Sequence, residues 1–143
     1  MRLARMVTPS AMAAVAACGG SPKPAGLDPA AMLDFKMLTG NVKNVTDAKP
    51  ICPVIPHFEA ELLVSHLSGK LTYQWERSTG KSSETRSVDI PAAAATGPAS
   101  ITLPADEWLQ NDRGVQLTPS DKVHVLTPID RTSQPMVLSA ICY

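Results

Sequence analysis

One stretch, Lys70-Leu71-Thr72-Tyr73-Gln74-Trp75-Glu76-Arg77, constrains the fold more than any other. Leu71, Tyr73, Trp75 and Arg77 alternate with Thr72, Gln74 and Glu76, the period of two that a half-buried strand requires. A helix would scatter those four side chains around its axis. The run carries one of two Trp and one of two Tyr, so it supplies a large block of apolar area to whatever core forms. Proline points the same way. Thirteen of the 143 residues are Pro, mostly between apolar runs, where they shape turns and leave little room for long helices.

Other runs read as strands able to pair with this one or pack over it. Residues 57–66 put Phe58, Ala60, Leu62 and Val64 on one face. Ser68-Gly69 turns that run into the Trp strand, so the two are expected to form a hairpin. Residues 41–47 read as a short first strand, after which Lys49-Pro50-Ile51-Cys52-Pro53 interrupts regular pairing. Residues 84–90 are more polar and suit a sheet edge. Residues 91–97 read as loop and 99–103 as a strand ended by Pro104. Asp106-Glu107-Trp108-Leu109 reads as a helical turn carrying Trp108 toward the core. Residues 122–127 alternate up to Pro128, and 135–143 form a last strand with Met136, Leu138, Ala140 and Cys142 on one face. About seven short strands at this spacing make residues 41–143 an all-β domain. An immunoglobulin-like β-sandwich is its economical architecture and a small barrel the second.

Ahead of that domain, residues 1–17 have the build of an export signal. Arg2 and Arg5 form a basic start, and residues 6–17 are mostly apolar, although Thr8, Pro9 and Ser10 interrupt them. The segment is too short to span a bilayer as a helix. It ends in Val15-Ala16-Ala17-Cys18, which resembles the lipobox of bacterial lipoproteins: an aliphatic residue, two small ones, then Cys. The resemblance implies a diacylglycerol on the Cys18 sulfur, cleavage before Cys18, and a mature chain anchored in a membrane by its acyl chains. The alternative is an ordinary secretory signal with an incidental Cys18. Parity of the three cysteines, at 18, 52 and 142, weighs for acylation. If Cys52 and Cys142 pair, an exported chain would otherwise carry a reactive thiol at its end. Gly19 follows Cys18 where Asp would favour inner-membrane retention, so the same resemblance favours the outer membrane or the cell surface.

Residues 18–40 then read as a lipidated tether with one short helix. Gly-Gly-Ser-Pro-Lys-Pro-Ala-Gly over 19–26 is flexible linker chemistry. Asp28-Pro29 looks like a helix N-cap followed by a first-turn Pro, and Gly40 sits where a helix would stop. Between them, residues 30–38 place Met32, Phe35 and Leu38 along one helical face. A helix of about ten residues is marginal alone. It must dock, either on its own β-domain or on a partner protein or bilayer surface.

A second resemblance covers roughly residues 42–143. Cys52-Pro53, then Leu71-Thr72-Tyr73-Gln74-Trp75-Glu76-Arg77-Ser78-Thr79-Gly80, then His124-Val125-Leu126-Thr127-Pro128 and the terminal Ile141-Cys142 are similar to immunoglobulin-like domains of bacterial exported proteins. The pattern departs from antibody-type domains, where Trp follows the first Cys within about 15 residues and the second Cys lies on the penultimate strand. Here Trp75 comes 23 residues after Cys52 (75 − 52), and Cys142 is on the final strand. The likeness implies a Cys52–Cys142 disulfide tying the domain's start to its end. It would close a loop of about 90 residues, for which chain entropy gives about 4–5 kcal/mol.

The residues offer little chemistry. Lys and Arg number 13, as do Asp and Glu. Removal of residues 1–17, with Arg2 and Arg5, leaves 11 basic and 13 acidic side chains, a balance of −2 (11 − 13) and no footprint for nucleic acid. His57 and His66 lie at opposite strand parity and do not chelate one ion together. No paired carboxylate or Cys/His cluster has metal spacing, no Gly-x-Ser-x-Gly marks a nucleophile, and no Gly-rich loop cradles phosphate. Asn44-Val45-Thr46 fits a glycosylation sequon only by composition. No catalytic residue, metal or cofactor is expected. Trp75 reads as core, whereas Trp108, with Met32 and Phe35 of the expected helix, is the candidate contact surface. The leading expectation is a non-enzymatic, membrane-anchored binding or structural module of a bacterial envelope. An accessory lipoprotein subunit of an envelope or secretion assembly, docked through residues 30–38, is the alternative. A small hydrolase ranks third, because it needs a pocket joining Ser or Asp to a His.

Overall fold

The computed structural model describes residues 26–46, 49–111 and 116–141. Among them the chain is all-β, with ten strands and a single 3-10 turn. The first sheet has the order β1-β2-β5, from β1 (Met32–Thr46), β2 (Lys49–Ser65) and β5 (Pro98–Glu107). In the second, β4 (Arg86–Asp89), β3 (Lys70–Arg77), β7 (Ser120–Thr127) and β8 (Arg131–Thr132) lie side by side, and β9 (Met136–Val137) also pairs with β7. A small ladder joins β6 (Gln116–Leu117) to β10 (Ala140–Ile141). All pairings are antiparallel. The two larger sheets enclose one core in a sandwich-like arrangement.

The alternation read from sequence sets that core. Leu71, Tyr73 and Trp75 of β3 are fully buried, as are Phe58, Leu62 and Val64 of β2 and Val123 and Val125 of β7. Ala60, Ile101 and Leu103 join them. β2 and the Trp strand do not form a hairpin. β2 pairs with β1 and β5, while β3 pairs with β4 and β7. Both runs carry a bulky apolar face, and burying both is achieved by setting them face to face across the core, not edge to edge. The connecting turn has His66 and Gly69 at φ of 52° and 91°. Its backbone is satisfied elsewhere: Leu67 N–H donates to Ala94 O (3.1 Å), and Gly69 O accepts from Ile90 N–H (2.8 Å). The run 84–90 does end at a sheet edge, as β4.

The expected helix over residues 30–38 is instead the first half of β1. A β-bulge misleads the periodicity. Phe35 pairs with Leu62 and Met37 with Glu61, so Lys36 is an extra residue in the ladder. Leu33 and Phe35 point inward before it, and Leu38 and Gly40 after it, which inserts a spacing of three among spacings of two. The Asp28 carboxylate does accept from a backbone N–H, that of Ala30 (2.8 Å), but in a turn that feeds a strand.

The same device extends β5. Pro104 does not end it, because the register slips between Phe58–Asp106 and Ala60–Leu103. Pro tolerates a bulge on an edge strand, where its missing N–H costs no ladder bond. Asp106 and Glu107 therefore belong to β5, not to a helical turn, and Trp108 follows directly. Residues 50–53 lie within β2, but the β1–β2 register breaks there as expected, passing from Lys43–Ile55 to Val45–Pro50. The expected last strand is divided into β9 and β10, which pair with different partners. Residues 92–95, expected as loop, form the 3-10 turn.

Candidate functional site

The three residues of the candidate contact surface fall at different ends of the first sheet. Met32 pairs with Ser65 and Phe35 with Leu62, near the end of β2. Trp108 lies just past Glu107, whose partner His57 is toward the other end. Near Met32, the open side of the sandwich between β1 and the β8–β9 segment forms a groove of about 410 Å³, lined by Phe35, Met37, Leu38, Pro135 and Met136, with Asp34 and Arg131 at its rim. Met32 and Met37 are 40% and 49% exposed and Val137 56%. Arg131 reaches back across this opening, donating from Nη1 to Leu33 O (2.7 Å) and pairing through Nη2 with Asp34 (3.2 Å). Part of the β1 edge is thereby capped.

Trp108 closes the far end of the core. Its ring stacks on Phe58, with centroids 5.2 Å apart and planes at 11°. The Arg77 guanidinium lies 5.5 Å above the ring centroid, a favourable place for a cation on an indole face. Half-buried in this way, Trp108 is a packing residue with one accessible side. The neighbouring Leu109 is the more exposed, at 68%. A polar cleft of about 610 Å³ opens between the β3–β4 turn and the β8–β9 loop, lined by Arg77, Ser78, Lys81, Ser82 and Lys122 among others.

Between these surfaces lies a buried charge cluster that the sequence reading missed. Asp106 and Asp121 are both fully buried. Asp106 receives Arg77 in a fork, Nε to Oδ2 and Nη2 to Oδ1, each 2.8 Å, and Arg86 Nη2 on Oδ1 at 3.2 Å. Burial opposes its negative charge, but the Arg77 hydrogen bonds prevail and hold its carboxyl below the usual range. Asp121 stands opposite Arg77 in the β3–β7 ladder. Burial, and next the Asp106 carboxylate beside it, push its carboxyl up to about 9. A signal was present: Arg77 shares parity with Trp75, and Asp121 with Val123 and Val125, so both belong to apolar faces. Arg77 lies inside the expected Trp strand, whereas Asp121 precedes the expected strand over 122–127 and so falls outside its alternation.

Two of the histidines each sit between a pair of carboxylates. His57 bridges Glu59 (Nε2, 2.9 Å) and Glu107, which also pairs with Lys43. His124 bridges Glu76 (Nδ1, 2.7 Å) and Asp130 (Nε2, 2.8 Å). Among the described residues, no serine hydroxyl hydrogen-bonds to a histidine, and no group of three or more His, Cys, Asp or Glu is placed to hold a metal ion. No described helix is long and apolar enough to cross a membrane. Cys52 is buried against Val54 and Leu117. Cys18, Cys142 and the rest of residues 1–25 lie outside the described residues. Comparison with known proteins finds no matching family model, no matching curated protein and no matching solved structure.

Proposed function

We propose that this chain is a lipid-anchored, non-enzymatic binding or structural module of a bacterial envelope, with an immunoglobulin-like domain held off the outer membrane or cell surface. The observation that carries the reading is Val15-Ala16-Ala17-Cys18 followed by an eight-residue linker, 19–26, that leads straight to the sandwich. Eight extended residues reach at most about 28 Å, so the tether keeps the domain near its anchor. It enters at the Met32–Ser65 end of the first sheet, which turns the Trp108–Leu109 end outward.

Cysteine usage supports the same reading. Cys52 is disulfide-bonded. It packs on Leu117, whose ladder partner Ala140 lies two residues before Cys142. A Cys52–Cys142 bond suits that placement and leaves the Cys18 sulfur for acylation. Intact mass of protein taken from its native membranes tests both parts. The expected species starts at Cys18, carries acyl mass and gains about two daltons on reduction. A mature chain without acyl mass overturns the anchor.

The groove beside β1 favours the second reading, an accessory subunit of an envelope assembly. Exposed Met32 and Met37 and half-buried Phe35 sit where the tether joins the domain, facing whatever shares the membrane. A stoichiometric partner that co-purifies in detergent and is lost from Met32→Ser/Met37→Ser supports it; retention of every partner by that variant removes it.

A further inference from the structure

The clearest unassigned feature is the junction where the two sheets meet through charge. Asp106 comes from the first sheet; Arg77, Arg86 and Asp121 come from the second. A carboxylate offers about four lone-pair positions. Arg77 Nη2 and Arg86 Nη2 occupy Oδ1 of Asp106, and Arg77 Nε occupies one position on Oδ2. One position on Oδ2 remains. Asp121 lies within hydrogen-bonding reach of Asp106. Neither of its oxygens makes a full hydrogen bond to an N–H or O–H donor among the described residues; the nearby Lys122 backbone N–H favours its charge but is outweighed by burial and by Asp106. Two ionised carboxylates facing each other away from water repel; one proton between them turns the contact into a hydrogen bond.

We propose that Asp121 is a carboxylic acid in the folded protein, and that the proton it donates to Asp106 closes the junction between the two sheets. The other groups facing the pair fit one negative charge better than two. Arg77 and Arg86 supply the cations, Glu84 acts on Arg77 from the loop before β4, and the buried Tyr73 hydroxyl beside Arg86 adds no charge at neutral pH. Lys122, next to Asp121, points outward to Glu76 (3.4 Å). The junction is thus a clasp loaded with a proton when the chain folds. The unfolded chain, with Asp121 near its ordinary 3.8, holds no such proton above mildly acid pH.

Because folding takes up this proton, the junction's contribution to stability falls as pH rises. One proton bound on folding lowers the folding constant about tenfold for each pH unit across the window in which only the folded state holds it. That window runs from about 4 up to about 9. The test compares the full chain with Asp121→Asn, whose amide donates to Asp106 without titrating. The ratio of wild-type to variant folding constants, from urea titrations, should fall about tenfold per pH unit across that window. Infrared spectra of the wild-type protein near neutral pH should show the carbonyl stretch of one protonated carboxyl, absent in Asp121→Asn and lost on alkaline titration. A ratio independent of pH, or a neutral-pH spectrum without that band, overturns the proposal. If Asp121→Asn fails to fold, the wild-type infrared titration decides alone.

Discussion

Gly40 sits so close to the Phe58 ring that a Cβ added there would lie 2.9 Å from Cδ1 of Phe58 and 3.1 Å from a Leu138 methyl. The sequence offers Gly40 as a helix stop; the structure uses it as clearance for an aromatic ring that stacks on Trp108. Phe58 is fully buried and in contact with Trp108, so it has little freedom to retreat. Gly40→Ala should therefore lower unfolding free energy by about 1–3 kcal/mol through overpacking, read from urea midpoints. Unchanged stability would mean the Phe58–Trp108 stack is loose. Single residues were legible where their environment follows from alternation, as with Tyr73 and Trp75. They were illegible where the partner depends on pairing between strands or sheets, as with Gly40, which faces Phe58 across the β1–β2 ladder, or Asp106 beside Asp121.

At the scale of elements, strands with unbroken period-two patterns were readable and those with bulges were not. β3 and β7 carry their buried residues at strict alternation and lie where the sequence places them. β1 contains two slipped registers and β5 one; the β3–β7 ladder also slips once, at Thr72, without breaking the alternation of buried residues. In β1 the extra Lys36, paired with Glu61 at 2.8 Å, sets Phe35 and Leu38 three apart and imitates a helical face. The two readings differ at neighbouring positions. A helix buries Met32, whereas the strand buries Leu33, which is 1% exposed, and leaves Met32 open. Leu33→Ala should cost about 2–5 kcal/mol and Met32→Ala less than about 1 kcal/mol. Chemical denaturation of both variants separates them; equal costs would contradict the strand register. The pairing of sheets was hidden for a related reason. Ser68-Gly69 has the composition of a hairpin turn, but turn residues fix only how sharply the chain reverses. Whether the flanking strands lie edge to edge or face to face depends on which face each must bury.

For the whole molecule, the surface charges act with the buried clasp to set how stability varies with pH. His57 and His124 straddle two carboxylates each, on different sheets. Hydrogen bonds to Glu59 and then Glu107 raise the His57 imidazole above its ordinary 6.5, and Asp130 with Glu76 does the same for His124. A histidine held above its unfolded value stabilises the fold fully below that value and loses its contribution as pH rises through the folded one. Hydrogen bonds from Lys36 to Glu61, and from Lys43 and then His57 to Glu107, lower those carboxyls below 4.5. Their contribution is present above 4.5 and fades as pH falls. The domain should thus be most stable near pH 4.5, lose stability steadily above it through the Asp121 clasp, and lose it faster above about 6.5, where the histidines begin to titrate. Urea midpoints across these pH values check the shape. The paired variant His57→Gln/His124→Gln should remove the part of the decline that begins near 6.5 while leaving the Asp121 part intact. A wild-type midpoint that climbs from about pH 5 to about pH 8 would contradict both devices at once, since each takes up protons on folding. A decline that persists in the histidine variant but vanishes in Asp121→Asn would assign it to the clasp alone.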